Sequence, residues 1–155
     1  MTRSMKSFQT AILFIVLIVG IACTARQEIA SDDPISDADL IASLAGRIWV
    51  AEYIHGIPVV DMSHTSMVFS SEDSVKGSSG CNVYSGSYKL TNGMITFSPP
   101  LAATMKMCAD AISDQEMLFF QSLANAQKVS FENGLLYLTP SEGKPSVFAA
   151  LEWPA

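Results

Sequence analysis

The sequence predicts a mainly β protein of the α+β class, with an antiparallel sheet and one α-helix packed against it. Two Asn-Gly pairs, Asn92-Gly93 and Asn133-Gly134, each stand between short apolar segments. Both residues of such a pair accept the positive φ that a type I′ hairpin turn requires. A single amphipathic segment after Ser113 supplies the helix. Two hairpins and one helix are typical of an antiparallel sheet with a single core.

The strands are predicted from β-branched and aromatic residues that alternate in period two. The first strand is IWVAEYI, in which alternation puts Ile48, Val50 and Ile54 on one face and Trp49 and Tyr53 on the other. Large apolar groups on both faces predict a strand that is covered on both sides. Further strands are predicted at 65–69, 83–90, 94–97, 129–131, 135–138 and 146–151.

The helix is predicted to begin at a capping box formed by Ser113 and Glu116. In this motif the serine hydroxyl accepts from the third backbone amide of the helix, and the glutamate side chain reaches back to the serine amide. Residues at helical spacing then form a stripe that we expect to face the sheet. The stripe comprises Met117, Phe120, Leu123, Ala124 and Gln127.

The first 22 residues are typical of a bacterial targeting segment. Arg3 and Lys6 precede the apolar run AILFIVLIVGI, which is shorter than the roughly 18 to 20 residues that a spanning helix needs. The run ends at Ala22-Cys23, which resembles a lipobox and makes Cys23 the predicted lipidation site, although Gly20 stands where such sites usually have Leu. Ordinary secretion and an uncleaved anchor are the alternatives.

The predicted organisation is a signal peptide at 1–22, a flexible tether at 23–39 and a domain at 40–155. The tether is polar and acidic, and its aspartates, Asp32, Asp33, Asp37 and Asp39, are interpreted as solvating residues because they lack the glycine-centred pattern of a calcium loop. Thr24 follows the cysteine where Asp would favour inner-membrane retention. We therefore expect a lipid-anchored protein of the cell envelope, on the outer membrane and facing the periplasm.

The charge of the chain argues against nucleic acid as a partner. The net charge is −6, and it becomes −8 without the leader, which carries Arg3 and Lys6 and no acidic residue. Such a surface repels phosphate backbones.

The two cysteines outside the leader, Cys81 and Cys108, form an even pair in an oxidising compartment. A disulfide between them would stabilise the domain by roughly 3 kcal/mol in the chain-entropy model. Two separate buried thiols are the alternative, since the sequence alone does not show that these residues face each other.

Residues 77–81, GSSGC, invite catalytic interpretations that the neighbouring residues do not support. A phosphate-binding loop would need a Lys after Gly80, where Cys81 stands. A nucleophile elbow centred on Ser79 would need Gly at position 81. A nucleophilic Cys81 would need a histidine base and a free thiolate. We therefore interpret the segment as a structural turn.

Neither a metal site nor a cofactor site is predicted. The only histidines, His55 and His64, flank Asp61 in a segment expected to be a surface loop, and their spacing matches no compact zinc site. Aromatic residues on the strands could instead line a groove if the sheet curls into a partial barrel. The candidate groove residues are Trp49, Tyr53, Tyr84 and Tyr88. Aromatic residues that simply pack in the core are the alternative.

Several short motifs together resemble the META/HslJ family of small bacterial envelope domains, over about Leu44 to Leu151. The motifs are Gly46 to Trp49, Gly77-Ser78-Ser79-Gly80-Cys81-Asn82, Gly86-Ser87-Tyr88, Pro100-Leu101-Ala102-Ala103-Thr104, Cys108 and Gln115-Glu116. The resemblance implies a sheet curled into an open or cracked barrel with a helix packed across it. It also implies a structural role for Cys81, Asn82, Thr104 and Cys108 as the ends of a stapled loop.

The resemblance implies no enzymatic activity, because such domains have no established catalytic residues. They are often lipoproteins linked to stress tolerance. Our first hypothesis is therefore a non-catalytic envelope lipoprotein domain that supports stress tolerance or envelope integrity through contacts with an envelope protein partner. The second is a binding module that holds a small apolar ligand, or a partner's hydrophobic segment, in the barrel groove. A barrel filled by side chains would favour the first hypothesis.

Overall fold

The computed structural model describes residues 36–70 and 73–151. The predicted signal peptide, Cys23 and the tether up to residue 35 lie outside the described residues. The elements in chain order are α1 (Asp37–Leu44), β1 (Ile48–Ile54), β2 (Ile57–Pro58), β3 (Thr65–Phe69), β4 (Ser74–Ser79), β5 (Val83–Thr91), β6 (Met94–Ala103), α2 (Asp110–Asn125), β7 (Ala126–Glu132), β8 (Leu135–Pro140) and β9 (Ser146–Leu151).

The nine strands form one antiparallel sheet whose order returns on itself. The order is β2-β1-β3-β4-β5-β6-β7-β8-β9, and β1 pairs with β9 as well as with β2 and β3. The sheet is therefore ring-like, and the predicted class, mainly β with a curled sheet and a packed helix, is confirmed. Among the described strand pairs, β6 and β7 share the fewest register positions, with the single pair Met94 and Lys128.

Both predicted Asn-Gly turns join neighbouring strands. Asn92 and Gly93 have φ values of 53° and 72°, and Asn133 and Gly134 have φ values of 52° and 81°. These are the left-handed angles that a type I′ turn needs, and Asn and Gly reach them at low cost. The turns fix the register of the β5–β6 and β7–β8 hairpins.

Strand β1 has the predicted bounds, but its facing pattern differs from the prediction. Trp49, Ala51 and Ile54 are buried, whereas Tyr53 is 45% exposed. The cause is a register shift between Ala51 and Tyr53 in the pairing with β9. An extra residue in one strand reverses the side on which the following side chains lie. The prediction that Trp49 and Tyr53 share a face is therefore wrong.

The tether prediction is wrong for Asp37 and Asp39, because both belong to α1. The Ser36 hydroxyl caps this helix by accepting from the Asp39 amide at 3.2 Å. The Asp37 carboxylate accepts from the backbone amides of Asn92 and Gly93 at 2.7 and 2.9 Å. This aspartate therefore fastens α1 to the β5–β6 turn, through charge-assisted hydrogen bonds.

Helix α2 begins one turn earlier than the predicted capping box. Its N-cap is Ala109, which makes no side-chain capping bond, and Ser113 lies inside the helix. Glu116 does not reach back to Ser113; it accepts hydrogen bonds from Asn82. The predicted stripe is also rotated, since the buried residues are Gln115, Phe119, Ser122 and Leu123.

The inward-facing side chains of the strands and of both helices form one hydrophobic core. Helix α2 packs against β1, β4, β6 and β8, which are spread around the ring, so it lies across one opening. The largest fully buried side chains are Trp49, Tyr88, Phe69, Phe119, Phe148, Leu44, Ile54, Met67, Ile95, Leu123, Leu136 and Leu138. Among the residues that the structure describes, large side chains therefore fill the interior of the ring.

Candidate functional site

The predicted aromatic groove is wrong for three of its four residues, which lie in the core. Trp49, Tyr84 and Tyr88 are 1%, 4% and 1% exposed. Trp49 packs against Phe131 with ring centroids 5.6 Å apart, and Tyr88 packs edge-on against Phe69 at 5.1 Å. These rings gain more from burial and mutual packing than a solvated groove could give them.

The polar end of each buried aromatic residue has a hydrogen-bond partner. The Trp49 indole donates to the Leu44 carbonyl at 3.0 Å, and the hydroxyls of Tyr84 and Tyr88 donate to the carbonyls of Ser66 and Ser70 at 3.1 and 2.9 Å. Burial raises the pKa of Tyr84, and burial together with the charge of Asp73 raises the pKa of Tyr88. Both phenols therefore remain protonated donors near neutral pH, which suits a structural role.

An apolar groove lies between β6 and α2. It has a volume of about 460 Å³, and six of its seven lining residues are apolar. The lining residues are Thr96, Phe97, Pro99, Leu101 and Ala103 of β6 and Phe120 and Ala124 of α2.

The groove exists because β6 leaves its neighbour after the first residues. Strand β7 starts at Ala126, directly after α2, and meets β6 at Met94 only. Beyond that point α2 lies beside β6. Pro99 and Pro100 have no backbone N–H with which to bind another strand, so this edge resists pairing. Leu101 fits into the space left by the missing side chain of Gly86, where a Cβ would come within 2.2 Å of it.

Two further concave surfaces are less apolar or smaller. A cavity of about 730 Å³ between α1 and β7 is lined by several polar residues, among them Asp37 and Lys128. A cavity of about 240 Å³ beside the start of α2 includes Asp114 and Gln115. The β6–α2 groove therefore has the apolar surface best suited to a ligand or a partner's side chains.

The predicted stapled loop is built around a disulfide and a buried asparagine. Cys81 and Cys108 are bonded, with their Cα atoms 6.0 Å apart. Asn82 is 4% exposed, and its side-chain oxygen accepts from the Thr104 hydroxyl at 2.8 Å and from the Lys106 amide at 2.7 Å. Its amide group donates to both carboxylate oxygens of Glu116, at 2.9 and 3.1 Å. The staple thus joins the β4–β5 turn, the loop after β6 and helix α2.

The structure gives no chemical role to the GSSGC segment. Ser79 is fully buried, and its hydroxyl contacts the Asn82 carbonyl and the Glu116 carboxylate. Cys81 has no thiolate because it is in the disulfide. Gly80, with φ of 100°, makes the turn between β4 and β5. Ser79 is therefore beyond the reach of a substrate, and Cys81 is not a nucleophile while it is bonded to Cys108.

The histidines are not brought together with other ligands. His55 donates its backbone amide to the Ser146 hydroxyl at 3.0 Å and lies with Gly56 in a half-buried turn. His64 and Asp61 are exposed. Within residues 36–70 and 73–151, no group of three or more His, Cys, Asp or Glu residues is placed to hold a metal ion.

The sequence-based interpretation missed the groove, although two signals pointed to it. Pro99-Pro100 at the end of a strand is typical of an unpaired sheet edge. Phe119 and Phe120 are adjacent on α2, so one faces the core while the other lies towards the groove.

Comparisons with known proteins agree with this fold. A family model described as META domain matches residues 42–153. A protein solved by NMR shares 26% identity and a TM-score of 0.58, over 70% of this chain and 92% of its own. An NMR structure from Burkholderia xenovorans has 22% identity and a TM-score of 0.59, over 77% and 90% of the two chains. A crystal structure of a DUF4847 family protein from Bacteroides vulgatus has 14% identity and a TM-score of 0.51, over 71% and 96%. No curated protein matches the chain.

Proposed function

Because the chain belongs to the META domain family, we propose that it is a non-catalytic envelope domain that supports envelope integrity or stress tolerance through contacts with a protein partner. The observation that supports this proposal is an open apolar groove between β6 and α2 in a domain whose core is filled by large side chains. The groove is the proposed contact site.

The composition of the groove supports binding rather than chemistry. Its only polar lining side chain is that of Thr96, and no lining residue is an acid, a base or a thiol. Its volume of about 460 Å³ lies in the range of roughly 300 to 1,000 Å³ that is usual for ligand pockets. Aromatic and aliphatic walls without a titratable group can bury an apolar side chain but cannot transfer a proton.

A small apolar ligand in the same groove is the second candidate. It is favoured by the concave shape between the Phe97 and Phe120 rings. This candidate moves the predicted ligand site from the aromatic residues of β1 and β5 to the cleft between β6 and α2. Native mass spectrometry of the purified full chain distinguishes the two candidates, since a small ligand would appear as a reproducible adduct.

Filling the groove is expected to abolish the function. Ala124 is exposed and lines the groove, so Ala124→Trp would occupy it without disturbing the core. We expect binding of the partner to weaken about tenfold or more, and the variant to fail to restore envelope integrity in a strain that lacks the protein. The measurements are growth under envelope stress and the yield of partner cross-linked to a photoreactive residue placed at position 124.

Gln121→Trp is the matched control, because Gln121 is exposed on the same helix and does not line the groove. This variant should behave like the wild type. Equal growth defects for the two variants, or equal cross-linking from positions 121 and 124, would contradict the groove as the contact site.

The proposed location is the outer membrane, with the domain anchored through lipid on Cys23 and facing the periplasm. Within the described residues, neither helix has the length and apolar character needed to cross a bilayer. Cys23→Ala is expected to release the protein from the membrane fraction, because the lipid would no longer be attached. Cell fractionation and the mass of the N-terminal peptide measure this. A variant that stays in the membrane fraction would indicate an uncleaved leader instead.

A further inference from the structure

The methionines of the described residues lie mostly on the surface. Met67 is fully buried, but Met105 and Met107 are 99% and 100% exposed. Met62 is 93% exposed, and two others, Met94 and Met117, are about half exposed. Methionine usually fills gaps in cores. Met105 and Met107 fill none, and they do not line the β6–α2 groove.

The backbone that carries these two side chains is fastened to the domain. The Thr104 amide donates to the Val83 carbonyl at 3.0 Å, and the Lys106 amide donates to the Asn82 side chain at 2.7 Å. Cys108 is held by the disulfide to Cys81. The segment is therefore anchored before, between and after the two methionines.

These anchors also orient the side chains. The Lys106 carbonyl oxygen lies 3.5 Å from the Cys81 sulfur, so both backbone groups of Lys106 face the segment 81–82. An N–H and a C=O of one residue that face the same side are the pattern of a β-strand, in which neighbouring side chains point to opposite sides. We therefore infer that Met105 and Met107 share one side, about 6.6 Å apart at Cα, and that Lys106 points to the other. Two flexible thioethers at this spacing can contact one ion.

We propose that Met105 and Met107 together bind a soft monovalent metal ion, Cu(I) in the cell. Thioether sulfur is a soft ligand that selects Cu(I) over hard cations such as Mg²⁺ and Ca²⁺. The described residues supply no three-residue cluster of His, Cys, Asp or Glu that would compete for the ion. Two sulfurs leave coordination positions open, and full exposure lets the ion enter and leave freely. This site is independent of the β6–α2 groove.

Titration of the full chain with Ag(I) tests the proposal. Ag(I) shares the charge and softness of Cu(I) and needs no reductant, so the disulfide stays intact. The protein is labelled with ¹³C at the methionine methyl groups and held in a mild detergent in chloride-free buffer. We expect the Met105 and Met107 signals to move together and to saturate at one equivalent. Met105→Leu and Met107→Leu should each weaken binding about tenfold or more.

Met62→Leu and Met117→Leu are the matched controls, since they remove exposed thioethers elsewhere. They should leave the affinity unchanged. Lys106→Gln should raise it by no more than about twofold, because Lys106 extends to the opposite side and a positive charge at about 10 Å in water repels the ion only weakly. The proposal is overturned if the shifts are spread over all the exposed methionines, if binding does not saturate, or if the Met105→Leu/Met107→Leu double variant binds as the wild type does. Circular dichroism checks that the variants fold.

Discussion

Replacing Cys81 and Cys108 with serine, singly or together, is expected to lower the free energy of unfolding by about 2 to 5 kcal/mol. The bond joins residues 27 apart in sequence, and the chain-entropy model gives about 3.5 kcal/mol for a loop of that size. Each single variant removes the same bond, so the double variant should lose little more than either one. Urea unfolding in a Cys23→Ala background, which has no third thiol, measures the loss.

Reductant supplies the control for this prediction. It should destabilise the protein that retains both cysteines to the level of the double variant, and it should not affect the double variant. Two results would contradict the prediction: the losses from the two single substitutions add up, or reductant leaves the free energy of unfolding of the protein with both cysteines unchanged. Either result would indicate two separate thiols that contribute by packing.

Local sequence signals predicted seven of the nine described strands and both Asn-Gly turns, because the causes of these elements are local. They missed β2 and β4, and residues 77–79, interpreted as a turn, belong to β4. Asn92-Gly93 and Asn133-Gly134 adopt the left-handed angles that their residue types favour. The β1 bulge has no such signal, since an ordinary residue, Glu52, lies between the register positions Ala51 and Tyr53. The bulge alone decides that Tyr53 is exposed while Ile54 is buried.

Local sequence signals could not predict the role of Glu116 or the groove, because both depend on contacts between residues far apart in the sequence. Ser113 and Glu116 have the right spacing, but Glu116 gains more from Asn82, 34 residues away in sequence. Hydrogen bonds from several donors outside the helix stabilise the Glu116 carboxylate more than one bond from a local backbone amide would. The groove depends on which strands fail to pair, and pairing is a property of the whole sheet. The family resemblance, by contrast, spans the whole domain, and it pointed to the curled sheet with its packed helix.

Asn82→Asp is expected to destabilise the domain by about 3 to 5 kcal/mol near neutral pH, as for an uncompensated buried charge. The substitution keeps the shape of the side chain and the oxygen that accepts from Thr104 and Lys106. It replaces the amide nitrogen, which lies 2.9 and 3.1 Å from the two Glu116 oxygens, with an oxygen. Two carboxylates would then meet in a site that is 4% exposed to solvent at position 82.

The pH dependence of this variant separates repulsion from a simple loss of packing. In the folded variant the carboxyl pair binds a shared proton more tightly than the same groups do when unfolded, so its stability should rise as the pH falls from 7 towards 5. Adding Glu116→Gln should restore part of the stability at pH 7, since an amide again faces a carboxylate. Asn82→Ala, which loses hydrogen bonds without adding charge, should cost about 2 to 4 kcal/mol with no such rise. If Asn82→Asp and Asn82→Ala respond to pH alike, the contact with Glu116 does not hold this corner together. The corner would then depend on the disulfide and on the hydrogen bonds from Thr104 and Lys106 to Asn82.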